Sequence, residues 1–151
     1  MILISCADNA LGLRFNHRRQ SRDRVVCGRM LEKSGGRLWL AEETKGLFTG
    51  FPEAELTIVS DPAAVPVGSF CFWEGPTDAP AERIILYRWN RDYPGDERFC
   101  FPGGEEIWQL DRWEDFPGFS HEKITEEIYI HKENPWRREE RSSRPYPGSS
   151  C

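Results

Sequence analysis

The feature that most constrains this chain is its first 24 residues, MILISCADNALGLRFNHRRQSRDR. Ile2, Leu3 and Ile4 form a continuous apolar run that is too short to span a membrane. Such a run predicts a strand buried on both faces, as in a parallel α/β sheet. Ligands of open α/β sheets gather beyond the carboxyl ends of the strands. Here those positions hold Asp8 and Asn9, a turn at Gly12, and then Asn16, His17, Arg18, Arg19, Ser21, Asp23 and Arg24. Ser21 reads as a helix N-cap, because its hydroxyl can accept a bond from a free backbone N–H. Val26, Cys27, Met30, Leu31 and Ser34 then recur at intervals of three and four, the mark of one helix face. Gly35 and Gly36 end that helix through the left-handed conformation a C-cap needs.

The polar cluster supports two readings. In one, Arg18, Arg19, Arg22 and Arg24 are ordinary surface charges, balanced by Asp8, Asp23 or Glu32. In the other, their guanidinium groups hold a carboxylate or phosphate bidentately.

Further along, residues 37–41 predict a strand, 42–48 a short helix, and 56–59 a third strand stopped by Ser60-Asp61-Pro62. Residues 62–68 have room for one helical turn. Residues 69–73 and 84–89 (IILYRW) predict two more strands, the second leading into Asn90-Arg91-Asp92-Tyr93-Pro94-Gly95-Asp96. Residues 107–113 alternate as a half-buried strand does. Residues 124–131 fit either a helix or a strand and are taken as a closing strand. The segment from 133 to 151, with three prolines and four arginines, has few apolar anchors and reads as a disordered tail.

With 151 residues the chain fits one core, here a single α/β domain over residues 1–132. A net charge of −5 argues against a broad nucleic-acid-coating face. Five cysteines without a CxxC pair, and no signal-peptide pattern, predict reduced thiols and a cytoplasmic location. His17, His121 and His131 lack metal-site spacing, and Walker and GxSxG motifs are absent.

Several stretches resemble the dihydrofolate reductase family. ILISCADNALGL is similar to that family's first strand and turn, and ELTIVSDP to its third strand. IILYRWN followed by YPGDERFCFP is similar to its late strand and Gly-Asp-x-x-Phe-x-Pro segment. IWQLDRWEDFPG and ITEEIYIHKE resemble its closing hairpin. The resemblance implies a mixed sheet with few short helices, reduced relative to the family. It also implies that Asp23 stands where the family's acid contacts a pterin ring. Ala41-Glu42-Glu43-Thr44 stands where the family has a Gly-Arg-x-Thr cofactor loop, which implies a degenerate NADPH site. A second, fainter similarity, through FNHRRQSRD, YRWNRDYP and SHEKIT, is to short bacterial proteins labelled ribonuclease Z, whose HxHxDH motif this chain does not have.

Three polar segments stand out, residues 16–24, 88–96 and 120–127, and the first two are expected to converge near one end of the sheet. Asp23 and His121 are the acid–base candidates. Asn16, Arg18, Arg19, Arg88, Asn90 and Arg91 are the ligand-binding candidates. One function class is a binder of a small anionic or heterocyclic ligand, with a reductase as its family-led form. The alternatives are an RNA-binding or RNA-processing protein, with the arginines and the tail on phosphates, and a non-catalytic adaptor. The sequence identifies no cofactor and no oligomeric state.

Overall fold

A computed structural model describes residues 1–132; the tail expected from 133 lies outside them. Ten strands and one α-helix follow in the order β1 (Ile2–Ala7), β2 (Gly12–Phe15), β3 (Arg18–Arg19), α1 (Arg24–Ser34), β4 (Arg37–Leu40), β5 (Glu55–Ile58), β6 (Phe70–Phe72), β7 (Arg83–Arg88), β8 (Glu97–Arg98), β9 (Trp108–Phe116) and β10 (Ile124–His131). Short 3-10 segments fill Glu42–Phe48, Pro62–Ala64 and Glu105–Ile107.

Seven strands form the main sheet in the order β5-β4-β6-β1-β7-β10-β9. The N-terminal strand sits at its centre, parallel to both β6 and β7. That position explains the unbroken apolar run: Leu3 and Ile4 point to opposite faces and both are fully buried. β10 runs antiparallel between β7 and β9, so residues 124–131 are strand, as alternation suggested.

The two faces of the sheet carry separate cores. On one, Ile2, Ile4, Leu40, Phe72, Ile85, Tyr87 and Trp89 pack under Val26, Cys27 and Met30 of α1. On the other, Leu3, Ala7, Ile84, Leu86, Trp108 and Tyr129 pack with Phe99 and Phe101. Gly35, at φ 67°, takes the left-handed C-cap and lends its N–H to the last carbonyls of α1. The other end corrects an expectation. Asp23, not Ser21, is the N-cap, accepting from Val25 N at 2.9 Å. Its carboxylate is the better acceptor for a free N–H beside the positive helix end.

A second, three-stranded sheet, β3-β2-β8, grows from the same region. Gly12 begins β2 rather than marking a turn. Asn16 and His17 form its two-residue hairpin connection, both at positive φ (52° and 62°), as a turn matched to strand twist requires.

Candidate functional site

Asp8 organises the end of the sheet where the parallel strands finish. Its buried carboxylate accepts from Gly12 N at 2.7 Å, Ala10 N at 2.9 Å, Tyr93 N at 3.1 Å and Gln20 Nε2 at 3.2 Å. Asn9 N donates to Arg91 O at 2.9 Å, and the Asn9 side chain donates to Asp92 Oδ1 at 3.0 Å. The loops after β1 and β7 are thereby fastened together, and Tyr93 is brought beside Ser21.

The third polar segment joins them. Asp23 accepts from Phe119 N (2.8 Å), Ser120 N (2.9 Å), Ser120 Oγ (3.2 Å) and Val25 N (2.9 Å), and its Oδ2 lies 2.8 Å from His121 Nδ1. Burial alone would raise its pKa, but the Phe119, His121, Ser120 and Val25 donors outweigh that and hold it at about 2. The fit is tight at Gly118, where a Cβ would sit 2.7 Å from Asp23 Oδ2 and 2.6 Å from Ile124 Cδ1. Only glycine lets the 117–120 backbone approach this closely.

His121 stacks on Trp89, with ring centroids 4.7 Å apart and planes 23° from parallel. With Nδ1 facing a carboxylate, the neutral ring carries its hydrogen there and presents a lone pair at Nε2. Ser21 Oγ lies 2.9 Å from Nε2, and Tyr93 Oη lies 3.3 Å from Nε2 and 3.5 Å from Ser21 Oγ. Each of the three polar segments thus supplies a member of one cluster: Ser21 and Asp23, Tyr93, and His121.

The expected ligand-binding residues divide differently. Arg19 is committed to Glu74, with Nε at 2.6 Å and Nη2 at 2.9 Å from its two oxygens, and Thr44 donates to the same carboxylate. Arg88 lies on the opposite face of the sheet from His121. There it pairs with Glu127 at 3.3 Å and donates to the carbonyls of Asp8 and Asn9. Strand alternation dictates the separation, since Tyr87 and Trp89 face α1 and Arg88 must face away. Asn16 sits in the β2–β3 turn and donates its backbone N–H to Asp96 Oδ2. Asn90, at φ 61°, uses its side chain to hold Lys123 O and Thr125 Oγ1. Arg18 and Arg91 are exposed and have no ion-pair partner among the described residues. Asp8, Asp23 and Glu32 form no ion pair with the arginine cluster; of its members Arg19 alone pairs among the described residues, with Glu74.

Sequence reasoning missed the part played by Tyr93, Trp89 and the Ser21 hydroxyl. The available signal was a serine two residues before an acid, with a histidine in another polar segment; the separation of 100 residues between Ser21 and His121 hid it.

Two recesses border the cluster. The inner one, of about 20 Å³, lies among Cys6, Arg19, Ser21, Cys27, Glu74 and Trp89. The outer one, of about 450 Å³, is lined by Arg22, Arg24, Leu47, Phe51, Phe119 and Ser120. Arg22, Asp23, Cys27 and Leu47 border both. Arg24 lies over the Phe119 ring, 5.2 Å from its centroid. Burial pushes the Cys27 thiol up to about 11 and the Cys6 thiol well above its usual value, so neither presents a thiolate.

Comparison with solved structures decides the architecture. A dihydrofolate reductase from Enterococcus faecalis, complexed with NADP(H) and RAB-propyl, superposes with a TM-score of 0.58 at 12% identity, over 87% of this chain and 95% of that one. The fold is dihydrofolate reductase-like. It is the mixed sheet with few short helices that the resemblance implied. No family model matches the chain, and no curated protein matches it by sequence. No described helix is long and apolar enough to cross a membrane.

Proposed function

We propose that this chain binds a small planar anion, a heterocycle carrying a carboxylate or phosphate, in the outer recess beside α1. The observation that carries this reading is the pairing of free cations with aromatic surface there. Arg22 and Arg24 have no ion-pair partner among the described residues, whereas Arg14, Arg19, Arg29, Arg37 and Arg88 each have a carboxylate. Phe51 and the 70% exposed Phe119 supply ring faces beside them. An exposed phenylalanine under a guanidinium is a ready stacking platform for a flat ligand. The volume lies in the range of small-ligand pockets. Asp23 takes no direct part, because five donors already saturate its carboxylate. Arg18 and Arg91 are exposed and have no ion-pair partner among the described residues.

The reductase form of this reading needs a nicotinamide dinucleotide, as in the Enterococcus neighbour. The residues present do not fit one. The first turn past β4, where the family resemblance puts a phosphate contact, exposes the Glu42 and Glu43 carboxylates. These repel the group that cations and N–H donors should attract. An RNA partner would have to rely on Arg22, Arg24, Arg18 and Arg91, because the other arginines named are neutralised locally.

The test is thermal stabilisation by folate, guanosine monophosphate and NADPH, each up to millimolar concentration, in the wild type and in an Arg22→Ala/Arg24→Ala double variant. Folate or the monophosphate should raise Tm in the wild type and not in the variant, and NADPH should not. No shift with any of the three would overturn the reading. A shift with NADPH would restore the reductase. Salt-steep binding to single-stranded RNA would move the assignment to phosphate-backbone recognition.

A further inference from the structure

A serine nucleophile needs a base within hydrogen-bond reach and a third group that orients the base. Ser21 Oγ, His121 Nε2, His121 Nδ1 and Asp23 Oδ2 stand in that order, separated by 2.9 and 2.8 Å. We propose that Ser21, His121 and Asp23 form a hydrolytic triad, with Ser21 as nucleophile on small carboxylic esters, His121 as general base and acid, and Asp23 as the positioning residue. The inference stands on these distances and does not depend on what occupies the outer recess.

The arrangement is graded from a fixed interior to an accessible tip. The Asp23 side chain is wholly buried and that of His121 is 4% exposed, held flat against Trp89. Ser21 is only half-buried and lines the inner recess. The carboxylate is thus locked in place while the Ser21 hydroxyl borders a small recess. A purely structural network would close at both ends, as the Arg19–Glu74–Thr44 group does. The neighbouring thiols offer no rival nucleophile, since burial holds Cys27 protonated.

The chemistry balances with water as the only co-reactant. Ser21 Oγ bonds to the ester carbonyl carbon while its proton passes to His121 Nε2. The carbon–alkoxide bond breaks, and the leaving alcohol takes that proton from His121. Water then attacks the acyl-serine and gives its proton to Nε2. The Ser21 ester bond breaks, Ser21 regains the proton, and a carboxylic acid departs. The inner recess has room for about one water. The acyl group must therefore be small or must extend past Arg22, which borders both recesses and is the nearest free cation in sequence for the oxyanion.

The experiment treats the full chain with a fluorophosphonate probe, maps the adduct by mass spectrometry, and follows p-nitrophenyl acetate hydrolysis in parallel. In the wild type Ser21 Oγ should bond the probe's phosphorus as fluoride leaves it, and Ser21→Ala should remain unlabelled with an unchanged near-UV spectrum. His121→Gln should slow labelling at least ~100-fold, the usual worth of a positioned base. Asp23→Asn should lower kcat for the ester while leaving KM within about twofold, a split that a merely structural role would not give. Absence of label on folded wild type, under conditions that label trypsin, overturns the proposal. So does label that persists at the same rate in Ser21→Ala.

Discussion

Two polar clusters flank the central strands, one on each face, and they are built differently. On the α1 face Asp23 gathers three backbone N–H groups, the Ser120 hydroxyl and the His121 ring. On the other face Glu127 meets a cation, Arg88, and the Tyr129 hydroxyl at 2.7 Å. The ion pair ends where it starts, because Arg88 Nη1 faces Glu127 and Nη2 donates to the Asp8 and Asn9 carbonyls. The imidazole instead relays, since a ring that donates through one nitrogen still accepts through the other. The difference teaches that a carboxylate held by a histidine leaves reactivity at the far side, whereas one held by an arginine does not.

The sharpest way to break this comparison is to remove the two carboxylates' roles separately. Asp23→Ala takes away a helix cap and orphans buried donors from α1 and from the 117–121 loop. It should cost roughly 4 kcal/mol in urea unfolding, the sum of one cap and several unsatisfied buried groups. A loss below about 1 kcal/mol would mean that the loop is held by something other than this acid. Arg88→Met should cost about 3 kcal/mol, because Glu127 is left largely buried without its partner. Adding Glu127→Gln, which still accepts from Tyr129, should recover more than half. The ion-pair cluster is replaceable as a unit. If the double variant recovers nothing, Arg88 matters through its bonds to the Asp8–Asn9 turn rather than through Glu127.

Acid titration separates the clusters without mutation. The Asp23 carboxyl is held at about 2 in the folded chain, below its ordinary 3.8. A depressed carboxyl stabilises the fold above its unfolded pKa, and that contribution is lost as pH falls through the folded value. Roughly 2 kcal/mol should therefore disappear between about pH 4 and pH 2. The same limb should be missing from Asp23→Asn. An unchanged acid limb in that variant would shift the effect to other carboxylates.

Much of this was legible in the sequence, for reasons particular residues make plain. Ile2, Leu3 and Ile4 announced a central strand because burial on both faces leaves no polar alternation. Gly35 and Gly36 announced the helix end because the left-handed cap has a compositional mark. The approach of residues 16–24 to 88–96 was also readable, as polar loops beyond strand ends, whereas the arrival of 120–121 beside them was not. Which atoms would meet was not. Arg88 and Trp89 are neighbours in sequence but on opposite faces, and nothing local says which of them turns toward Asp23. Ser21 and Asp23 compete for the same cap, and the outcome depends on Ser120 and His121 arriving from across the fold. Arg19 looked available until Glu74, 55 residues away, claimed it.

Tyr93 offers the smallest effect and the finest discrimination. Its hydroxyl lies 3.3 Å from His121 Nε2 and 3.5 Å from Ser21 Oγ, long for oxygen donors. Tyr93→Phe should therefore shift unfolding free energy by less than about 0.5 kcal/mol. It should still be felt in the chemistry. Nε2 has one lone pair, so the Tyr93 and Ser21 hydroxyls compete for it, and removing one gives the other the full share. Fluorophosphonate labelling of Ser21 should rise by about twofold, the most that release from an even competition allows. A tenfold fall would show instead that the phenol donates to the reacting group. The reactive pair on the α1 face would then be two hydroxyls around one imidazole.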